Sequence, residues 1–125
     1  MDRNILLVGL GGFIGSILRY FVSVLAATQI SSAFPFGTII VNVAGCFLIG
    51  VIFALSEKGN VLTPEWRVFL TTGFCGGFTT FSTFSYESMR LLQDGQFLFL
   101  ALNLTLSVAV GFAATYLGMF VIKIL

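Results

Sequence analysis

The chain has 125 residues, a net charge of +1, 58% hydrophobic residues and only 9% charged ones, and its mean hydropathy is +1.06. A soluble domain draws about a quarter of its residues from the charged types, so this chain lacks the side chains to cover a water-facing surface and reads as a single all-α membrane domain. It has no histidine, no basic block and no aromatic–basic interleaving, which speaks against nucleic acid as a partner and removes the commonest general base and metal ligand.

A hydrocarbon core about 30 Å thick takes about 20 apolar residues to cross as a helix. Four segments qualify, at about 4–27, 35–56, 64–92 and 97–123. The first contains "GLGGFIG". This run fails as a dinucleotide fingerprint, because Ile14 stands where the third glycine belongs and no strand–turn–helix context surrounds it. The spacing of Gly11 and Gly15 predicts close helix packing instead, as does that of Ala114 and Gly118. Arg3 before an apolar run raises the question of a signal peptide. The run passes Arg19 and reaches Ala27 without a small-x-small cleavage site, so residues 1–27 are expected to be a mature spanning helix. Arg19 is costly at that depth. It reads either as a vestibule residue that attracts an anion or as a structural anchor that snorkels.

The second segment opens at Pro35, a residue suited to the first helical position. Asn42 lies in its middle and needs hydrogen-bond partners. It is either interhelical glue or an amide donor facing a water-filled path, with Thr38 one turn earlier on the same face. Cys46 and Cys75 fall in apolar segments with no CxxC spacing and read as small packing residues.

The third segment begins "LTPEW", which offers Thr63 as N-cap, Pro64 in the first turn, Glu65 near the positive end of the dipole and Trp66 as an interfacial anchor. It then runs into "GFCGGFTTFSTFSYE". Gly76 and Gly77 with flanking hydroxyls can unwind a helix, and irregular backbone inside a membrane is tolerated where it is buried in protein or lines a cavity. Such a break exposes carbonyls that suit a hard cation such as Na⁺ and N–H groups that suit an anion. Phe81 and Phe84 follow, surrounded by Thr79, Thr80, Ser82, Thr83 and Ser85. Their positive ring edges could steady an anion without trapping it, as conduction requires; the alternative is ordinary packing.

The fourth segment carries Asn103, Ser107, Gly111 and Thr115 at four-residue spacing, a slowly turning stripe that marks an interface or a pathway lining. The acidic residues Asp2, Glu57, Glu65, Glu87 and Asp94 all fall near the ends of the expected spans, so the mid-membrane carboxylate of a proton-coupled exporter is missing. Short connections make consecutive helices antiparallel neighbours. Arg3, Lys58, Arg67 and Lys123 then share one face, against Arg90 and Arg19 toward the other. This weak bias leans to termini inside and equally suits a chain that inserts both ways up.

"GFCGGFTTFSTFS", the asparagine of "NVAGCFLIG" and "GGFIGSILRY" together closely resemble the Fluc/CrcB family of fluoride channels, over essentially the whole chain. The resemblance implies four-helix subunits with a broken third helix, assembled in the cell membrane as antiparallel, dual-topology homodimers with two anion pathways. It implies a structural Na⁺ at the dimer centre, not transported, held by backbone carbonyls that match Gly76 and Thr79. The family's aromatic pair matches Phe81 and Phe84, its pore asparagine Asn42, and its helix 1 arginine Arg19. Its polar track matches Ser107, with Thr38 across from it and the Thr80 and Thr83 hydroxyls alongside. Where some members have a tyrosine on the last helix, this chain has Asn103. The function implied is passive, fluoride-selective efflux by a protein that is not an enzyme. A small multidrug exporter would need an acidic residue in the first helix, where Arg19 stands. A non-transporting assembly subunit would leave the third-segment break unexplained. A membrane enzyme would call for histidine, a mid-span Asp/Glu pair or an activated nucleophile, and this sequence offers none of them.

Overall fold

The computed structural model describes residues 2–59 and 61–125, and all regular structure in them is helical. Helix α1 runs Asp2–Gln29, α2 Phe36–Glu57, α3 Pro64–Val68, α4 Gly76–Phe78, α5 Phe81–Gln93 and α6 Phe97–Ile124. Between α3 and α4, Phe69–Cys75 winds as a wider π-helical turn. Helices α1, α2 and α6 are each long and apolar enough to cross a membrane. At 1.5 Å per residue the 28 residues of α1 or α6 reach about 42 Å, beyond the hydrocarbon and into the headgroups. The chain is a multi-pass membrane protein.

Local chemistry sets the helix ends. Helix α2 starts at Phe36, with Pro35 as the flanking residue rather than the first helical one. Thr63 caps α3 by accepting the Trp66 N–H at 3.2 Å. Helix α5 closes in a Schellman turn, in which Gln96 N–H donates to Leu91 O and Gly95 N–H to Leu92 O. Gly95 takes the left-handed φ of +72° that this reversal into α6 requires.

The segment 64–93 departs from the expected unwinding at the glycines. Gly76 and Gly77 stay helical, and the two non-helical residues are Thr79 and Thr80. Threonine's branched Cβ suits extended dihedrals, and its hydroxyl can replace lost backbone partners. The glycines serve a different purpose: Gly77 lies against the backbone of Gly12, so a Cβ there would collide with the Gly12 carbonyl.

Two seams organise the packing, α2 against α6 and α1 against the π turn and α4. Both are glycine seams. Gly11 and Gly15 press on the backbone of 69–78, while Gly50 meets Thr115 and Gly118 meets Phe47 and Val51. Helix surfaces without side chains let backbones touch, which is how helices associate where no water drives them together. Val41, Ile52, Cys75, Phe78, Leu91 and Ile122 are the buried apolar side chains, whereas Phe13, Phe21, Phe81, Phe112 and Tyr116 are widely exposed. The exposed Arg3–Glu65 pair, 3.9 Å apart, ties the start of α1 to α3 and contributes little in energy.

Candidate functional site

The site grows from the interruption at Thr79 and Thr80, whose φ,ψ are −91°, 161° and −151°, 123°. A helix that stops and restarts orphans carbonyls on one side and N–H groups on the other. Here neighbours meet most of that need. Thr79 N–H and Oγ1–H both donate to Cys75 O, at 3.0 and 2.9 Å. Thr83 N–H donates to Thr80 Oγ1 at 3.1 Å, so Thr80 is the N-cap of α5. The Thr80 hydroxyl in turn donates to Thr83 Oγ1. From α1, Arg19 Nε donates to Gly77 O at 2.9 Å. A cation at the carbonyl end of α4 is also where a helix end favours one.

Asn42 makes the decisive contact. Its Oδ1 accepts from Thr80 N–H at 2.8 Å and its Nδ2 donates to Thr80 O at 3.0 Å. This two-way exchange is what an opposed residue of a β-strand would make, here made by one side chain of α2. It keeps Thr80 N–H from returning to the Gly76 carbonyl and so holds the helix open.

Asn42, Thr79, Thr80, Phe81, Phe84 and Ser107 meet on the walls of one groove of about 370 Å³. The Phe81 and Phe84 ring centroids are 5.7 Å apart with planes at 47°. Phe81 is 78% exposed, so within one chain its ring faces outward. The groove is otherwise apolar. It offers a small anion one remaining amide hydrogen of Asn42, the Ser107 hydroxyl and ring edges, and no fixed cation.

Other expected residues stand elsewhere. Arg19 is engaged at Gly77 on the far side of the break, and Thr83 is turned to Thr80. Thr38 is buried and lines a separate cavity of about 350 Å³ near the 30–37 connection, together with Glu87, Arg90 and Asp94. Glu87, expected near a span end, lies in α5 beside the 30–37 connection. Its Oε1 is buried with no hydrogen-bond partner among the described residues. Its position four residues after Thr83, on the polar face of an otherwise hydroxyl-rich helix, was the available signal. The expected stripe on α6 divides: Thr115 bonds its own Gly111 carbonyl, Ser107 and Gly111 reach the groove, and Asn103 is buried behind it.

The break also bears on a cation. Among the described residues, no side chain and no backbone N–H outside the helices donates to the carbonyls of Gly76 or Thr79, and no cluster of His, Cys, Asp or Glu could hold a metal. Carbonyl oxygens at a helix break are the donor type that suits Na⁺, so these two positions fit such an ion in kind, and one chain supplies only part of a shell.

A family model described as "CrcB-like protein, Camphor Resistance (CrcB)" matches residues 6–119. A protein of Chlorobium phaeobacteroides (strain BS1) named "Fluoride-specific ion channel FluC" is 49% identical over 120 residues, covering 96% of this chain and 93% of the relative. Proteins with the same name from Chlorobium chlorochromatii (strain CaD3) and Flavobacterium psychrophilum are 51% and 43% identical. They cover 92% and 97% of this chain, and 88% and 98% of their own lengths. The match takes in all three long apolar helices and the interrupted segment between them: this chain belongs to the CrcB family.

Proposed function

We propose that this protein is a fluoride-selective channel that lets fluoride leave the cytoplasm down its gradient, across the cell membrane. The relatives are fluoride-specific ion channels by name. In this chain the single supporting observation is the Asn42–Thr80 clasp, which opens the helix and brings the Phe81–Phe84 pair beside Ser107 in one groove.

Fluoride is small and strongly hydrated, so entry requires donors that replace its water. The free Asn42 amide hydrogen, the Ser107 hydroxyl and the two ring edges supply them in turn. None carries a full charge, so none holds the ion for long. The segment 64–93 serves as the fourth crossing, with its irregular residues shielded by α1 and α2. The wide exposure of Phe81 calls for a second copy, and an antiparallel, dual-topology homodimer would turn each groove into an enclosed path. Gly76 and Thr79 of both copies would hold a structural Na⁺ at the centre, which supplies fixed charge between the subunits and is not carried across.

Purified protein reconstituted in liposomes tests the reading. Fluoride should leak rapidly and chloride should not. Equal leakage of both anions, or none of either, overturns it.

A further inference from the structure

Asn103 is 0% exposed and does not line the groove, yet it bonds to residues tied to the groove. Its Nδ2 donates to Ser88 Oγ at 3.0 Å, Ser88 Oγ donates to the Phe84 carbonyl at 2.8 Å, and Ser107 Oγ donates to Asn103 Oδ1 at 3.4 Å. The directions follow from chemistry. A carbonyl can only accept, so the Ser88 proton goes to Phe84, and Ser88 must then receive from an N–H. That fixes the amide with Oδ1 toward Ser107. The relay therefore has two ends at the groove: the backbone that carries the Phe84 ring, and the Ser107 proton. The first end is a firm bond, whereas the second, at 3.4 Å, is long for a hydroxyl. An anion in the groove is a stronger acceptor than an amide oxygen, so the Ser107 proton can turn to it and afterwards return.

We propose that Asn103 is a positioning residue of the ion path, one that anchors the Phe84 ring through Ser88 and parks the Ser107 proton where a passing anion can take it. The inference rests on the channel reading above. Its test is the unitary fluoride current in planar bilayers, which does not depend on how many molecules fold. Asn103→Leu and Ser88→Ala should each lower the unitary current about fivefold, the effect of one lost hydrogen bond. The double variant should be no worse than the poorer single one, because both cut the same relay. Ser88→Thr, which keeps the hydroxyl, should carry the wild-type current. If Asn103→Leu does not fold, Ser88→Ala against Ser88→Thr decides. Wild-type current in both Asn103→Leu and Ser88→Ala, or losses that multiply in the double variant, overturn the inference while leaving the channel standing. A folded wild type silent to fluoride overturns the channel reading and this inference with it.

Discussion

Replacing Phe81 or Phe84 by isoleucine keeps apolar bulk and removes the ring, so it isolates the role of the ring edges. We expect fluoride efflux from liposomes to fall about fivefold in either variant, with the elution profile of the folded protein unchanged; an aromatic edge contributes roughly 1 kcal/mol. Asn42→Leu removes both bonds to the Thr80 peptide and leaves a half-buried N–H and carbonyl unpaired. It should abolish flux and also lower the melting temperature in detergent, since an unmet buried polar group costs about 1–3 kcal/mol. Lost flux with unchanged melting would mean that Asn42 serves the ion and not the backbone. At this scale the sequence was legible for type and less so for partners. The need of Asn42 for hydrogen bonds followed from its depth, but its partner lies 38 residues away and depends on how α2 crosses the break. Arg19 left two readings open, and its bond to Gly77 adds a structural use without deciding against a role with anions. Glu87 was placed by the sequence near a span end, but which cavity it lines depends on how α5 packs beside the 30–37 connection.

The helices were legible from hydropathy, because lipid demands long apolar runs and punishes anything else. Where the third segment would bend was less so. A glycine pair signals weakness in a helix, yet here it signals contact: the glycines face α1 and the threonines carry the bend. Propensity could not tell these uses apart, since both favour a residue without a Cβ. The seams make a paired prediction. Gly15→Ala puts a methyl into the backbone of Phe74 and Phe78, and should destabilise the folded protein by about 1–3 kcal/mol, read as a lower melting temperature. Gly9→Ala meets nothing within 4 Å and should leave stability unchanged or raise it by up to about 1 kcal/mol through helix propensity.

For the molecule as a whole, one chain leaves many large apolar side chains uncovered; lipid satisfies most of them, but a phenylalanine beside hydroxyls at a helix break asks for protein. If copies insert both ways up, Gln96→Cys in a Cys46→Ala, Cys75→Ala background should be labelled from both sides of sealed cell membranes in comparable amounts by an impermeant maleimide. Labelling from one side alone would rule out the antiparallel dimer. The charge pattern could not have settled this, since its bias is weak by count. The clasp on Thr80 has a last consequence. Because a neighbouring side chain meets the needs of that peptide, the bend exists before any solute arrives. The Thr80 amide should therefore resist exchange with heavy water although it belongs to no helix, and, if two copies share a sodium as proposed, removing it should loosen how they adhere without straightening either one. On the proposed function, such a conduit is preformed rather than gated by its cargo.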